Sequence, residues 1–177
     1  MKTLAFLLIG IFLIVMQTTI LQILPNWFGF PDLIFILIAF CAFRFDWIRG
    51  CLLAFLLGWM MDVVSGIYLG VFAVKYIVVF FMLYLLTQNS PVKEAAYQVP
   101  LVGVSYFIVQ IGFFVMLSLT SDELVSTWSW NRAISETIIL MIATIPCFLL
   151  FNSLYEYLLH RRVVPRVTRK KTGNRFR

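Results

Sequence analysis

The hydrophobic positions of this chain come in long runs, interrupted only by short polar connections. Crossing about 30 Å of hydrocarbon at about 1.5 Å rise per residue takes roughly 20 apolar residues in a helix. Six runs approach that length. The first covers residues 4–24, and a turn with Pro25, Asn26, Trp27 and Gly29 follows it. Trp27 suits the membrane interface. The second covers residues 31–43 and opens on Pro31, which fits a first helical position because its missing N–H has no partner there anyway. Asp32 follows, where the helix dipole favours a negative charge. This run is short for a span, so it predicts help from flanking residues or a locally thinned bilayer. The third covers residues 47–63. The fourth follows the turn Ser65-Gly66-Ile67-Tyr68-Leu69-Gly70 and continues to residue 86. The fifth and sixth cover residues 97–119 and 133–159, with Pro146 a predicted kink. The expected fold is all-α: a polytopic membrane bundle of six transmembrane helices.

Composition agrees with that pattern. The chain is 62% hydrophobic and 12% charged, against about 25% charged in ordinary soluble domains. Residues 1–160 therefore read as one transmembrane domain. Residues 161–177 carry eight Lys/Arg and no Asp/Glu, a basic tail expected to be disordered. The rest of the chain has a net charge of −2, so the tail alone makes the protein basic. So short a tail offers no folded basic surface with stacking aromatics, which argues against nucleic acid. It suits a cytoplasmic anchor drawn to anionic lipid headgroups. Lys2, Arg44, Arg49, Lys93 and the tail fall on one side of the predicted topology. Arg132, with Asp122 and Glu123, falls on the other. The positive-inside rule then puts both termini in the cytoplasm. The first run lacks a small-x-small cleavage site, so it predicts a retained span rather than a removed signal peptide.

Candidate chemistry is sparse. Cys41, Cys51 and Cys147 sit in apolar runs without metal or disulfide spacing and read as small packing residues. His160, the single histidine, stands in the basic tail region. Gly50, Ala54, Gly58 and Asp62 are four apart on the third helix and form a slanting ridge of small residues ending in a carboxylate. Small residues at this spacing let helices approach closely in lipid. An ionisable group there is costly and normally partnered. Three partners suit Asp62: the Ser65 side chain with the Ser65-Gly66 amides, Lys75 on the fourth helix, or a charge on another protein. Gly66 and Gly70 suit a turn needing positive φ or close backbone approach. No histidine stands in a span to serve Ser65 as a base, nothing pairs Asp32 with Asp62, and no acidic cluster suggests a metal. An enzyme is not expected, nor any cofactor. Gln17, Thr18, Gln22, Ser105, Gln110, Asn152 and Glu156 read as contacts between helices.

Pro31-Asp32-Leu33, followed by Arg49-Gly50 and by Gly58-x3-Asp62-x2-Ser65-Gly66-x2-Leu69-Gly70, resembles the MreD family of rod shape-determining proteins. Length, six spans and a basic tail fit the same family. Its members often carry a polar or basic residue where Phe72 stands here, and Lys75, one turn on, is placed to substitute. The resemblance implies a non-enzymatic scaffold of the bacterial inner membrane that serves cell elongation and peptidoglycan synthesis. Its implied partners are an MreC-like protein, a RodA-type glycosyltransferase, a class-B penicillin-binding protein, membrane lipids and, indirectly, an MreB-like cytoskeleton. It further implies a fold similar to the substrate-binding subunits of energy-coupling-factor transporters. A substrate-binding subunit for a vitamin-type molecule is the alternative. The candidate structural or partner-binding residues are Pro31, Asp32, Arg49, Gly50, Gly58, Asp62, Ser65, Gly66, Gly70 and Lys75.

Overall fold

The computed structural model describes residues 2–20, 32–66, 70–89, 95–120 and 130–160. They form six helices: α1 (Lys2–Ile20), α2 (Leu33–Arg44), α3 (Trp47–Ser65), α4 (Val71–Asn89), α5 (Ala95–Thr120) and α6 (Trp130–His160). Each falls on one of the six apolar runs. Pro31, the Trp27 turn, residues 67–69, the 90–94 and 121–129 connections and the basic tail, for which the sequence carries expectations, lie outside the described residues.

Among the described residues, three helical stretches are long and apolar enough to cross a membrane: Trp47–Ser65, Tyr97–Val115 and Ala133–Leu159. The sequence predicts six such spans. The apolar stretches Thr3–Thr19, Leu33–Arg44 and Val71–Thr87 are shorter. The physical reason is clearest for α2, which is bounded by the capping residue Asp32 at one end and the extended Phe45 at the other.

The position of α2 explains how so short a helix fits. All residues from Ile34 through Ala42 are buried, and α2 packs against all five other helices. Around it α1 contacts α3, α3 contacts α4, α4 contacts α5, and α5 contacts α6. Twelve residues make a helix of about 18 Å. Mismatch with the bilayer arises only where lipid meets the helix, and here protein does. The predicted thinning around the second run is therefore unnecessary, because its neighbours enclose it.

Aromatic rings close one end of this core. Phe6 of α1 stacks on Phe40 of α2 at 5.7 Å, and its ring meets Phe45 at 5.2 Å and Tyr155 of α6 at 6.3 Å. Phe40 in turn meets Phe148 edge-on at 5.7 Å. Offset and edge-on pairs at such separations add about 0.5–1.5 kcal/mol each beyond area burial. α6 is helical throughout, Pro146 included.

The small-residue ridge works as its spacing implies. Gly50, Ala54, Gly58 and Asp62 are all buried on α3, and α3 and α4 share the broadest contact in the bundle. At Gly58 the approach is backbone to backbone: a Cβ would lie 2.5 Å from the Ala73 Cα and 2.9 Å from the Ala73 nitrogen. Backbone cannot yield to it. At Gly103 on α5 the three atoms nearest a Cβ all belong to the Met141 side chain, which is unbranched and flexible.

These two glycines should separate on substitution. Gly58→Ala is expected to destabilise the protein by about 1–3 kcal/mol through overpacking. Gly103→Ala should stay near wild type, because the helix-propensity gain of about 1 kcal/mol offsets a modest side-chain shift. Thermal unfolding of the purified protein in detergent measures both, and equal effects would contradict the backbone-contact reading.

Candidate functional site

The end of α3 and the start of α4 are built around Asp62. α3 terminates at Gly66, whose φ of 64° is left-handed and whose N–H donates to the Asp62 carbonyl at 3.1 Å. The Ser65 hydroxyl donates to the same carbonyl at 3.3 Å. Gly70, with φ of 96°, precedes α4, and its carbonyl accepts the Val74 N–H at 2.9 Å. Of the two uses open to these glycines, both adopt positive φ, and neither is closely approached by other atoms.

A helix begins with amide donors that have no partner inside the helix, and a side-chain oxygen just before the first turn normally takes them. Gly70 has no side chain to offer. The oxygens come instead from Asp62: Oδ1 accepts the Phe72 N–H at 2.8 Å and Oδ2 the Ala73 N–H at 3.1 Å. A carboxylate there also meets the positive end of the helix dipole. Asp62 is 2% exposed. The local-cap expectation is thus corrected in detail. Asp62 closes its own turn with its main-chain carbonyl, while its carboxylate caps the following helix.

Lys75 does not pair with Asp62. Its Nζ lies 3.1 Å from Asp32 Oδ2, and the Tyr76 hydroxyl sits 3.0 and 3.1 Å from the two oxygens of the same carboxylate. Asp32 also caps its own helix, accepting the Phe35 N–H at 3.0 Å through Oδ1. The Lys75 ammonium lies over three rings, 5.6 Å from the centroids of Phe72 and Tyr76 and 5.8 Å from that of Tyr106. Rings within about 6 Å of a cation stabilise it electrostatically. The ion pair is therefore enclosed by α2, α4 and α5.

The two carboxylates thus converge on consecutive turns of α4: Asp62 on the amides of Phe72 and Ala73, Asp32 on the side chains of Lys75 and Tyr76. Sequence spacing alone gives no reason to bring them together. Tyr76, Tyr106 and the Phe72 amide are participants that the sequence reading does not identify. A tyrosine beside a lysine in an apolar run was the one available signal for Tyr76.

The other candidates lie apart. Arg49 is exposed near the start of α3, 3.6 Å from the exposed Asp46, and about 20 Å of helix separates it from Asp62. Gly50 lies one residue on and faces the Phe80 ring on α4. Beside the ion pair an apolar cleft of about 520 Å³ opens between α4 and α5, with Gly70 and Lys75 at its head and Val78, Met82 and Ile108 along its walls. Among the described residues Lys75 is its one charged lining residue, and it is already committed to Asp32. Gln110 on α5 donates to Glu136 on α6 at 2.9 Å, a contact between helices of the kind expected for Gln110. Among the described residues, no group of three or more His, Cys, Asp or Glu is placed to share a metal ion.

No family model, no curated protein and no solved structure matches this chain.

The two aspartates should differ in energetic weight. Asp32→Asn leaves the Lys75 ammonium enclosed without a counter-charge, a loss of about 3–5 kcal/mol in comparable buried pairs. Adding Lys75→Met should recover much of it, since the double variant buries no lone charge. Asp62→Asn keeps one acceptor oxygen and should cost about 1 kcal/mol. A double-mutant cycle on thermal unfolding measures the coupling, and additive Asp32 and Lys75 effects would contradict the pair.

Proposed function

We propose that the chain is a non-enzymatic scaffold of the bacterial inner membrane, of the MreD type, with six spans and both termini in the cytoplasm. It would maintain rod shape by holding an MreC-like protein and the associated wall synthases. The observation that carries this reading is the way the resembling segment folds. Its residues form one mechanical unit: Gly58 clears the backbone contact, Asp62 caps α4, Ser65 and Gly66 end α3, and Gly70 starts α4. Asp32, from the other part of the resemblance, joins through Lys75 and Tyr76. A pattern whose spacing is accounted for by one connected structure is better support than the same letters scattered.

The use of the polar groups favours scaffolding over chemistry. Both carboxylates are engaged in holding helices together, and large apolar side chains on α3, α4 and α6, such as Ile48, Val74 and Leu149, face outward. Six spans are consistent with an enclosed α2, which is spared from matching the bilayer by itself. The basic residues Arg44 and Arg49 lie at the bundle end opposite Asp32 and Asp62, as the positive-inside rule requires of a cytoplasmic end.

One observation favours a second reading, a substrate-binding transporter subunit: the apolar cleft between α4 and α5 falls within the usual volume range of ligand sites, about 300–1,000 Å³. Such sites add a few convergent polar groups for orientation, whereas the one charged group here is turned to Asp32.

Depleting the protein from a rod-shaped host that lacks a paralogue is expected to give round, swelling cells, and unaltered rods would overturn the scaffold reading. Re-expressed Asp62→Ala should insert into the membrane at wild-type levels yet fail to restore rods. Full restoration would reduce Asp62 to a dispensable cap. A saturable, ligand-specific rise in melting temperature with a vitamin would favour the transporter instead.

A further inference from the structure

At the opposite end of the bundle the polar groups are arranged differently. α2 ends in Arg44, whose Nη2 donates to Asn152 Oδ1 on α6 at 2.8 Å, and whose guanidinium carbon lies 5.8 Å from the Tyr155 ring centroid. Lys75 pairs with Asp32 and Arg49 with Asp46. Among the described residues no carboxylate lies within ion-pair distance of Arg44. Glu156 lines a small cleft on one side of it without reaching ion-pair distance. A guanidinium carries several N–H donors in a planar fork, and Asn152 occupies only one of them.

On its other side Arg44 stands at a second cleft, of about 220 Å³, between α2, α5 and α6. The polar members are Arg44, Gln98 and Asn152, and the walls are apolar, including Val99, Phe148 and Leu149. Leu149 is 69% exposed on the outer face of α6, so the cleft borders the surface that lipid would cover. It is smaller than a site for a complete drug-sized ligand, which spans about 300–1,000 Å³. That suits a ligand only part of which is held by protein.

We infer that this cleft holds an anionic phospholipid, with its phosphate on Arg44, Gln98 and Asn152 and the upper part of an acyl chain against Val99, Phe148 and Leu149. The chemistry is complementary on each count. Arginine matches phosphate through paired N–H donors. The side-chain amides of Gln98 and Asn152 supply further donors, and an apolar wall continues into the hydrocarbon. The surrounding charge favours the anion too: Arg49 lies at the same end, and eight Lys/Arg follow α6 in sequence. Clusters of this kind draw anionic lipid to the cytoplasmic surface. The α4/α5 cleft is larger, but its one cation is already neutralised by Asp32. The inference rests on membrane residence and is independent of the scaffold role.

Titrating phosphatidylglycerol or phosphatidylcholine into the detergent-solubilised full chain, with bound lipid counted by native mass spectrometry, tests the site. One saturable phosphatidylglycerol adduct is expected, and equal adducts of the two lipids would overturn the proposal. Arg44→Gln should weaken the adduct about tenfold or more, the worth of a hydrogen bond to a charged group. Arg49→Gln, at the same end but outside the cleft, should leave it within about twofold, since exposed charges contribute little. Equal losses in the two variants would reassign the effect to bulk charge and overturn the site. Val99→Trp fills the cleft while keeping Arg44, so it tests the acyl-chain position even if Arg44→Gln fails to fold. An unchanged adduct in that variant would overturn the cleft. Glycerol 3-phosphate, which has the phosphate without the chains, should not displace the lipid at equal concentration, and displacement would overturn a lipid occupant.

Discussion

A helix that starts on glycine in apolar surroundings has amide donors at its N-terminus and no side chain of its own to satisfy them. Leaving such groups unpaired away from water costs several kcal/mol each. The start of α4 meets this constraint by taking a carboxylate from α3, with Asp62 bridging the amides of Phe72 and Ala73. The bond requires the two backbones to be close, which is possible only because Gly58, one turn before Asp62, has no Cβ to strike Ala73. The glycine ridge, the carboxylate and the glycine turn are therefore one device. Each of its parts is useless without the others.

The same stretch of α4 then fixes the central helix. With α4 set against α3, Lys75 and Tyr76 reach Asp32 at the head of α2. Asp32 already holds the first turn of its own helix through the Phe35 amide. One carboxylate thus starts α2 and ties it to α4, while Phe6, Phe40 and Phe148 hold the other end by ring packing. A helix of twelve residues, buried along nearly its whole length, needs both ends fixed by protein. Burial of the ion pair costs desolvation, which the Tyr76 hydroxyl and three surrounding rings offset in part.

Much of the fold can be read from residue order, because runs of apolar residues report a helix's length and neighbours hardly at all. The six helices fall within a few residues of the six runs, and the positive φ at Gly66 and Gly70 fits glycines placed in the turn between two runs rather than inside one. The ridge from Gly50 to Asp62 is legible because its periodicity belongs to a single helix. What was not legible is pairing across helices. Asp62 and Lys75 look like partners in sequence, yet Lys75 is a turn further along α4 and on the side facing α2, where Asp32 stands. Which face meets which carboxylate depends on the rotation of each helix about its axis. That rotation is set by packing, as at Gly58 against Ala73, and no spacing rule within one helix contains it. The central position of α2 is hidden for the same reason: a short apolar run looks alike whether it sits at the edge or the middle.

The two ends of the bundle then differ in a way that net charge alone conceals. At the Asp32 and Asp62 end, the carboxylates are matched internally by an ammonium, a phenol and the amides of helix starts. At the Arg44 end, the guanidinium has an amide and a ring but no carboxylate within ion-pair reach among the described residues. Internal pairing makes an end able to meet apolar or neutral neighbours without stranding a charge. An unpaired cation at the other end is stable only where anions or water can approach it. A bilayer offers that environment at its headgroup layer, and the cytoplasmic leaflet offers it most strongly. The asymmetry of pairing therefore distinguishes the two ends of the bundle, and it does so from the contacts of individual side chains.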